Sequence, residues 1–458
     1  MDFRNTIINS DSYKVSHYKQ YPEGTEYIYS YWESRGGEFT ETTVFGVQYV
    51  LRELLSNPVT QEDVDYAAER FKLHFGDENL FNREGWERIV NKHNGYLPLI
   101  IKSVPEGTSV PTSNVLMTVV NTDPELPWIT NYVETILSQL WYPTTVATNS
   151  REIKKIIKQY SDLTGDTDGL LFKLHDFGFR GVSSIETAAI GGAAHLVNFL
   201  GTDNMIAFEL LKEYYGEEMA GFSIPAAEHS TITLWGKEKE VEAYRNMIKQ
   251  FGEGGSGMFA VVSDSYDIFN ACDNLWGKEL YDEVVSSGNM LVIRPDSGDP
   301  PYIISRILAI LGERFGFTTN AKGYKVLQDV RVIQGDGIDL RMVKNILERM
   351  ESEGWSADNI AFGSGGGLLQ KFDRDTCRFA FKASAARVNG EWVDIFKDPI
   401  TSKGKKSKKG RLKLINNNGT LTTVGYDDPG DSILEVVYCD GQFENYTTLE
   451  EIRSRAQI

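Results

Sequence analysis

The feature that most constrains the fold of this chain is a repeated order of elements that begins near residue 170. Short apolar runs of strand length each lead into a polar, glycine-rich segment, and a stretch with helical periodicity follows. Spacings of a few tens of residues between such runs are typical of βα units around a parallel sheet. The apolar runs are 170–174, 258–262, 290–293, 330–333 and 359–362, and the helical stretches are 184–199, 268–277, 302–315 and 339–354.

The segments that follow the runs hold arginine, aspartate and histidine beside glycine. In a parallel α/β barrel these segments lie at the carboxyl ends of the strands, where active sites are built. A single polar loop would not indicate an active site, because surface loops are generally polar. Together they predict an α/β protein with a TIM-like parallel barrel and an active site at its mouth. They read HDFGFRG (175–181), PAAEHST (225–231), SDSYD (263–267), RPDSGDP (294–300), QGDGID (334–339) and GSGGG (363–367), and a further helical pattern spans 234–251.

Both ends of the chain differ from this middle part. Strand-like runs and turn signals dominate there, and the chain closes with a short helical pattern. We expect the ends to pack together as a β-rich discontinuous domain of residues 1–145 and 382–458, beside an α/β barrel domain of residues 146–381. The expected strands are 25–32, 99–104, 391–396 and 433–438, and the expected helices are 61–75 and 128–142.

Composition excludes several classes of protein. Acidic residues outnumber basic ones, 65 against 47, and the formal net charge of -18 argues against general binding to nucleic acid or to an anionic membrane. The three widely spaced cysteines predict neither a disulfide framework nor a zinc site. The first residues lack the apolar segment of a signal peptide, and no apolar run reaches the roughly 18 residues of a membrane span. We therefore expect a cytoplasmic protein.

Two glycine-rich turns, 335–337 and 363–367, are candidates for a phosphate cradle, because glycine lets backbone N–H groups approach an anion closely. The sequence GSGGGL at 363–368 does not fit the Rossmann pattern, and no P-loop sequence occurs. A nucleoside triphosphate must therefore bind in some other way. Guanidinium groups in or near the same loops favour a polyanionic ligand, and they belong to Arg180, Arg294, Arg331 and Arg374.

Other polar residues leave alternatives open. The aspartates of the loops suit a sugar diol or Mg²⁺, but helix capping explains them as well, most clearly for Asp339. His229 suits a nucleophile, a base or a neighbour of a helix cap. The basic run KGKKSKKGRLK (403–413) reads, by sequence alone, as a solvated loop. The aspartates concerned are Asp264, Asp267, Asp296, Asp336 and Asp339.

Ten motifs, in order along nearly the whole chain, resemble the nicotinamide phosphoribosyltransferase family of type II phosphoribosyltransferases. The resemblance implies an irregular α/β barrel with a second, β-rich domain built from both chain ends. It also implies a homodimer with two active sites at the interface. The motifs are DSYKVSHYKQYP (11–22), HDFGFRGVSS (175–184), GTDN (201–204), PAAEHSTIT (225–233), SDSYDI (263–268), IRPDSGDP (293–300), VIQGDGID (332–339), FGSGGGLLQK (362–371), FKDP (396–399) and SKKGRL (407–412).

The resemblance implies that the protein joins nicotinamide to phosphoribosyl pyrophosphate, giving nicotinamide mononucleotide in NAD salvage. Phe177 and Tyr13 of the partner subunit would stack on the pyridine ring. Asp203 would accept a hydrogen bond from the carboxamide and repel the carboxylate of nicotinate. Arg294 would lie against the base and the ribose, and Arg180 would lie by the base and the phosphoribosyl group.

The family likeness also implies a site for the donor. Ser263 and Asp267 would lie close to it, and the basic run would cover the phosphates. The ribose and its 5′-phosphate would contact Asp296, Gly335, Asp336, Gly365 and Gly366. The pyrophosphate would contact Arg35, Arg374, Lys382, Lys397 and Lys405, some of them from across the subunit interface.

Two accessory roles come from the family as well. Mg²⁺ would bind through the substrate pyrophosphate, and ATP would phosphorylate His229. The nearest alternative function is nicotinate phosphoribosyltransferase, with the same fold and donor. A lyase or hydrolase that uses Asp264 and Asp296, and a non-catalytic nucleotide-binding protein, are more distant alternatives.

Overall fold

A computed structural model describes residues 5–255, 257–401 and 406–458. The chain divides into two compact units. The first, here the sheet unit, comprises the residues up to Thr148 and Phe372–Gln457, and the second, here the barrel unit, comprises Asn149–Lys371 with Ile458. The sequence predicted that the chain would return to the first unit at residue 382. It returns earlier because the strand Phe379–Val388 pairs within the sheet of the first unit.

The strands fall into three groups along the chain. The first group is β1 (Thr25–Ser34), β2 (Glu41–Thr43), β3 (Leu99–Ser103), β4 (Ser109–Pro111) and β5 (Val115–Asn121). The second is β6 (Leu174–Asp176), β7 (Gly201–Thr202), β8 (Met258–Val262), β9 (Met290–Arg294), β10 (Phe317–Thr319), β11 (Lys325–Leu327), β12 (Val330–Gln334) and β13 (Ile360–Ser364). The third is β14 (Phe379–Val388), β15 (Glu391–Asp394), β16 (Leu412–Asn417), β17 (Thr420–Gly425), β18 (Glu435–Cys439) and β19 (Gln442–Phe443).

None of the described helices is long and apolar enough to cross a membrane. The helices that begin before Thr148 are α1 (Val47–Leu55), α2 (Gln61–Phe75), α3 (Arg83–Lys92), α4 (Ile129–Tyr132), α5 (Glu134–Ser138) and α6 (Trp141–Thr164). The later helices are α7 (Ile185–His195), α8 (Ile206–Tyr215), α9 (His229–Thr233), α10 (Glu240–Phe251), α11 (Ile268–Asn270), α12 (Tyr281–Ser286), α13 (Pro300–Arg314), α14 (Leu340–Ser352), α15 (Gly366–Leu369) and α16 (Leu449–Arg455).

The sheet unit is built on a seven-stranded antiparallel sheet with the order β15-β14-β1-β5-β3-β18-β19. Strand β1 pairs with β14 on one side and with β5 on the other, and most of its residues are buried. Strand β3 pairs with β5 and with β18. Strands from both ends of the chain therefore alternate within one sheet, which confirms the predicted β-rich domain of two chain segments.

The barrel unit contains six parallel strands in the order β7-β6-β13-β12-β9-β8. Segment 222–226 closes the gap between the two edge strands, since Phe222 bridges to Gly201 of β7 and Ala226 bridges to Ala260 of β8. The Phe222 N–H donates to the Leu200 carbonyl at 2.7 Å. The segment makes two bridges rather than a full ladder, so the barrel is irregular, as the family resemblance implied. Its interior is filled by Ala260, Val292 and Ile333, with Phe177, Ile224 and Ala361 packed against them.

Four predicted elements differ from the structure. In the predicted helix 268–277 only Ile268–Asn270 is α-helical, and Ala271–Glu279 forms a π-helix. Residues 170–172 form a 3₁₀ turn, closed by a bond from the Lys173 N–H to the Leu170 carbonyl, so β6 begins only at Leu174. The predicted helix 128–142 is divided among α4, α5 and the start of α6. The predicted helix 234–251 begins at Glu240, because Gly236 has a φ of 84° that no helix accommodates.

A buried carboxylate fastens α3 to the end of β5. Asp123 accepts hydrogen bonds from Arg88 Nε at 2.8 Å and from His93 Nε2 at 2.8 Å, and Lys92 Nζ lies at 3.3 Å. Burial alone raises the pKa of Asp123, but the bonds from Arg88, His93 and the Glu125 N–H outweigh burial and hold that pKa well below its usual range. The ionised form therefore stabilises the fold.

We expect Asp123→Asn to lower the free energy of unfolding by about 2 kcal/mol at pH 7, because hydrogen bonds to a charged acceptor are lost. Since the folded pKa is depressed, the contribution is present above the unfolded pKa of about 4 and is lost as pH falls below it. Urea denaturation at pH 7 and at pH 3 measures both effects. Asp65→Asn, which removes an exposed partner of Arg83, is the control and should change stability much less. Equal effects of the two variants would contradict this account.

Candidate active site

The polar residues predicted from the sequence gather in the loops at the carboxyl ends of the barrel strands. The parallel direction of the strands brings these ends to one rim, and closure by segment 222–226 makes the rim continuous. His175 and Asp176 end β6, Asp203 follows β7, Asp264 follows β8, Arg294 ends β9 and precedes Asp296, Gly335 and Asp336 follow β12, and Gly365 and Gly366 follow β13.

The ring of Phe177 lies on the barrel interior at this rim. The backbone N–H of Phe177 donates to the Ser364 carbonyl at 2.9 Å, and the ring packs against Ala260, Val292 and Ile333 in the barrel interior. Gly363 makes room for the ring, since a Cβ there would lie 1.9 Å from Phe177 Cε2. A Cβ on Gly335 would lie 3.3 Å from the same atom. The two glycines thus hold an aromatic face in a fixed position, which suits a planar ligand.

Asp203 has one free carboxylate oxygen and is linked to the Phe177 ring through His175, whose ring centroid lies 5.1 Å from that of Phe177. Its Oδ1 accepts from His175 Nε2 at 3.0 Å and from Ser223 Oγ at 2.5 Å, whereas Oδ2 makes no hydrogen bond within the described residues. Burial raises the pKa of Asp203, but the bonds from His175 and Ser223 and the charge of Arg294 outweigh burial and lower it. The group is therefore an ionised acceptor, which attracts a donor such as an amide and repels an anion.

His229 is held between two aspartates. Asp264 has a side chain that is only 5% exposed, and it accepts from His229 Nε2 at 3.0 Å and from Ser297 Oγ at 2.5 Å. Asp296 Oδ2 lies 3.9 Å from His229 Nδ1 and 3.6 Å from Arg294 Nη2. Both ring nitrogens of the histidine therefore face carboxylates, and the close contact at Nε2 fixes the orientation of the ring.

One donor of Arg294, the buried Nε, is unpaired within the described residues. The loops after β9 and β12 meet beside it, since a Cβ on Gly335 would lie 3.4 Å from Asp296 Oδ1. Arg180 is exposed in the 3₁₀ turn Phe179–Gly181 that follows Phe177. Asp336 is exposed as well, whereas Gly365 and Gly366 are partly buried at the start of α15.

Four predicted cations meet in the sheet unit. Arg35, Arg374, Lys382 and Lys397 line one pocket of about 570 Å³. Burial lowers the pKa of Lys382, and the charges of Arg35 and Arg374 lower it further against the opposing charge of Glu134. Arg35 Nη2 is buried without a hydrogen-bond partner in the described residues. The pocket therefore carries excess positive charge and unused donors, which suit a polyanion.

Tyr13 also belongs to the sheet unit. Its side chain is 58% exposed, and its ring meets His17 edge-on at 4.9 Å between centroids. More than half of the side chain is therefore accessible to a ligand or to another subunit. Lys405 lies outside the described residues.

Comparison with known proteins decides the family. The profile of the Nicotinate phosphoribosyltransferase (NAPRTase) family matches residues 172–442, and that of the nicotinamide phosphoribosyltransferase N-terminal domain matches residues 5–101. The chain is 51% identical over 462 residues to a protein named nicotinamide phosphoribosyltransferase from Xanthomonas campestris, covering 99% of this chain and 98% of that protein. The chain belongs to the nicotinamide phosphoribosyltransferase branch of this family.

Other relatives agree with this assignment. A protein of the same name from Acinetobacter baylyi is 35% identical over 495 residues, covering 99% of this chain and 98% of that protein. Two solved structures share the fold at 15% identity. Nicotinate-nucleotide pyrophosphorylase from Pyrococcus furiosus has a TM-score of 0.63, covering 99% of this chain and 94% of that chain. Human nicotinic acid phosphoribosyltransferase has a TM-score of 0.59, covering 98% of this chain and 92% of that chain.

Several residues expected at the site have internal partners instead. The family resemblance implied that Ser263 lies near the donor, but its side chain is buried, and its hydroxyl donates to the Val261 carbonyl and accepts from Trp276 Nε1. Asp267 caps α11 and Asp339 caps α14, as the alternative of helix capping predicted. Arg331 donates to the Leu327 and Val330 carbonyls, next to the amino end of β12, so it does not reach the rim.

Asp176 is a site residue that the sequence reasoning missed. It is buried, and it accepts from the Gly178 N–H at 2.7 Å and from Asn204 Nδ2 at 3.0 Å. Burial raises its pKa to about 6, against the lowering effect of these bonds. Asp176 thus joins the Phe177 turn to the Asp203 loop. An aspartate two residues before a glycine is the signal of a side chain that closes its own turn, and it was available in HDFGFRG. Ser223 was missed because no motif marked it.

We expect Gly363→Ala to weaken the binding of nicotinamide by about tenfold, because the added Cβ displaces the Phe177 ring and its stacking is lost. Calorimetric titration of the variant with nicotinamide measures the effect. Gly169→Ala is a matched control in the same unit, since a Cβ there meets no atom within 4 Å. Unchanged binding in Gly363→Ala would show that the Phe177 ring is not part of the base site.

Proposed function

We propose that the protein transfers the phosphoribosyl group of phosphoribosyl pyrophosphate to nicotinamide, giving nicotinamide mononucleotide and pyrophosphate in NAD salvage. The observation that carries the proposal is the free carboxylate oxygen of Asp203, which is held by His175, whose ring lies 5.1 Å from that of Phe177 between centroids. The chain is 51% identical over its length to a protein of that name. The Phe177 ring supplies a stacking face, and the oxygen accepts from the carboxamide NH₂ that nicotinate lacks.

In the proposed reaction the pyridine nitrogen forms a bond to the anomeric carbon while the bond from that carbon to the pyrophosphate oxygen breaks. The electron pair of the broken bond leaves with pyrophosphate. Arg294 and Asp296 would contact the ribose, on which positive charge develops in the transition state. The four cations of the pocket in the sheet unit would stabilise the departing pyrophosphate.

The proposal includes a homodimer in which both subunits supply site residues, with Tyr13 of the partner subunit stacked on the base. This part rests on the family resemblance, and the exposed Tyr13 ring of this chain supports it. A cytoplasmic location belongs to the proposal as well, supported by three cysteines that are all free thiols.

Magnesium would act through the substrate. Within the described residues no group of three or more His, Cys, Asp or Glu side chains is placed to hold a metal ion. Mg²⁺ commonly binds through substrate phosphates with few protein ligands, so pyrophosphate oxygens would supply most of its coordination. The bound ion would neutralise charge on the leaving group.

The first test is an assay of mononucleotide formation from phosphoribosyl pyrophosphate and Mg²⁺ with either nicotinamide or nicotinate. We expect product from nicotinamide alone. Asp203→Asn should lower kcat/KM for nicotinamide by about tenfold to a hundredfold, because a charged acceptor is lost, while Asp162→Asn, an exposed change in the barrel unit, should leave it unaltered. Product from nicotinate would favour nicotinate phosphoribosyltransferase, and product from neither base would favour a lyase, a hydrolase or a binding protein.

A second test concerns His229. We propose that ATP transfers its γ-phosphoryl group to an imidazole nitrogen of His229, with ADP as the leaving group, and that the phosphohistidine improves binding of the donor. The contacts with Asp264 and Asp296 support a histidine held for this role. We expect ATP to lower the KM for phosphoribosyl pyrophosphate in the parent and to have no effect in His229→Ala. Equal responses of parent and variant to ATP would contradict the role of His229.

A further inference from the structure

An ion pair in the sheet unit joins the segment that carries Tyr13 to the cationic pocket. Lys14, next to Tyr13 in the chain, is 3% exposed. Its Nζ lies 2.7 Å from Glu134 Oε2 and 3.0 Å from the Asn131 carbonyl. A buried ammonium group depends on its counter-charge, because leaving it unpaired in the interior is costly. The position of Lys14 is therefore tied to the carboxylate of Glu134.

The other side of Glu134 faces the pocket. Glu134 lines it together with Arg35, Arg374, Lys382 and Lys397, and its charge acts on Lys382. One carboxylate is thus shared between the buried Lys14 and the cations that would receive pyrophosphate. An anion in the pocket would repel the Glu134 carboxylate, which favours its position against the buried Lys14.

We propose that the Lys14–Glu134 pair couples the two substrates: occupation of the cationic pocket by a polyanion strengthens the hold on Lys14, fixes the adjacent Tyr13 and thereby favours binding of the base. Glu134 and Lys14 are positioning residues, since neither needs to touch the base. The inference rests on the proposed function, because it takes Tyr13 as a base contact and the pocket as the pyrophosphate site.

Equilibrium binding measures this coupling without turnover. Calorimetry gives the Kd of nicotinamide for the full-length protein in the presence of Mg²⁺, with and without inorganic pyrophosphate. The Kd without pyrophosphate divided by the Kd with pyrophosphate is the coupling factor. We expect a factor of about five or more in the parent. The double variant Lys14→Met with Glu134→Gln leaves no buried unpaired charge, and its factor should fall towards one. Lys14→Arg keeps the charge and should retain the coupling.

Thr135→Val is the matched control. It removes the bond between Thr135 Oγ1 and Asp11 Oδ2, 2.7 Å long, which fastens the same segment to α5, but it changes no charge facing the pocket. We expect it to weaken nicotinamide binding equally with and without pyrophosphate. The inference is overturned if the coupling factor of the parent is one, or if the double variant has the same coupling factor as the parent. Failure of the parent to form mononucleotide in the turnover assay would instead overturn the proposed function, so the two failures are distinguishable.

Discussion

The closure of the parallel sheet by segment 222–226 is the constraint on which the barrel site depends. Six strands alone would leave β7 and β8 as open edges with unpaired backbone groups. The bridges at Phe222 and Ala226 join these edges, and Ser223 within the same segment reaches Asp203. The backbone pairing that completes the barrel therefore also orients the carboxylate proposed to select the base.

The site shows how close packing and ionisation support each other. Phe177 occupies its position because Gly363 has no side chain, and the Asp176 carboxylate holds the turn that follows. Asp176 and Asp203 lie near each other, yet burial raises the pKa of Asp176 while hydrogen bonds lower that of Asp203. Neighbouring carboxylates whose environments move their pKa values apart are typical of sites with assigned acid and base roles. Here Asp176 holds the turn at Phe177, and Asp203 is the acceptor proposed for the ligand.

The cationic pocket of the sheet unit brings like charges close together. A pocket of like charges destabilises the fold unless nearby acids offset part of the repulsion, and an anionic ligand then completes the neutralisation. Glu33 binds Arg35 and Lys408, and Glu134 binds Lys14 beside Lys382. The carboxylates hold the cations in place without removing the excess positive charge. The chain has a formal net charge of -18, yet the lining of this pocket is locally positive.

The order of the βα elements and the rim on which the polar loops lie follow from the sequence alone, and the family motifs supply the residues proposed for the site. Periodicity reports local geometry and burial, so it placed β8 and α2 accurately. Which polar residues are available to a ligand becomes clear only from the folded chain. Ser263 is engaged inside by Val261 and Trp276, whereas Ser223 reaches Asp203 at the rim, and no local sequence pattern distinguishes the two serines. Arg35 and Lys382 meet because β1 pairs with β14 across more than 300 residues of intervening sequence.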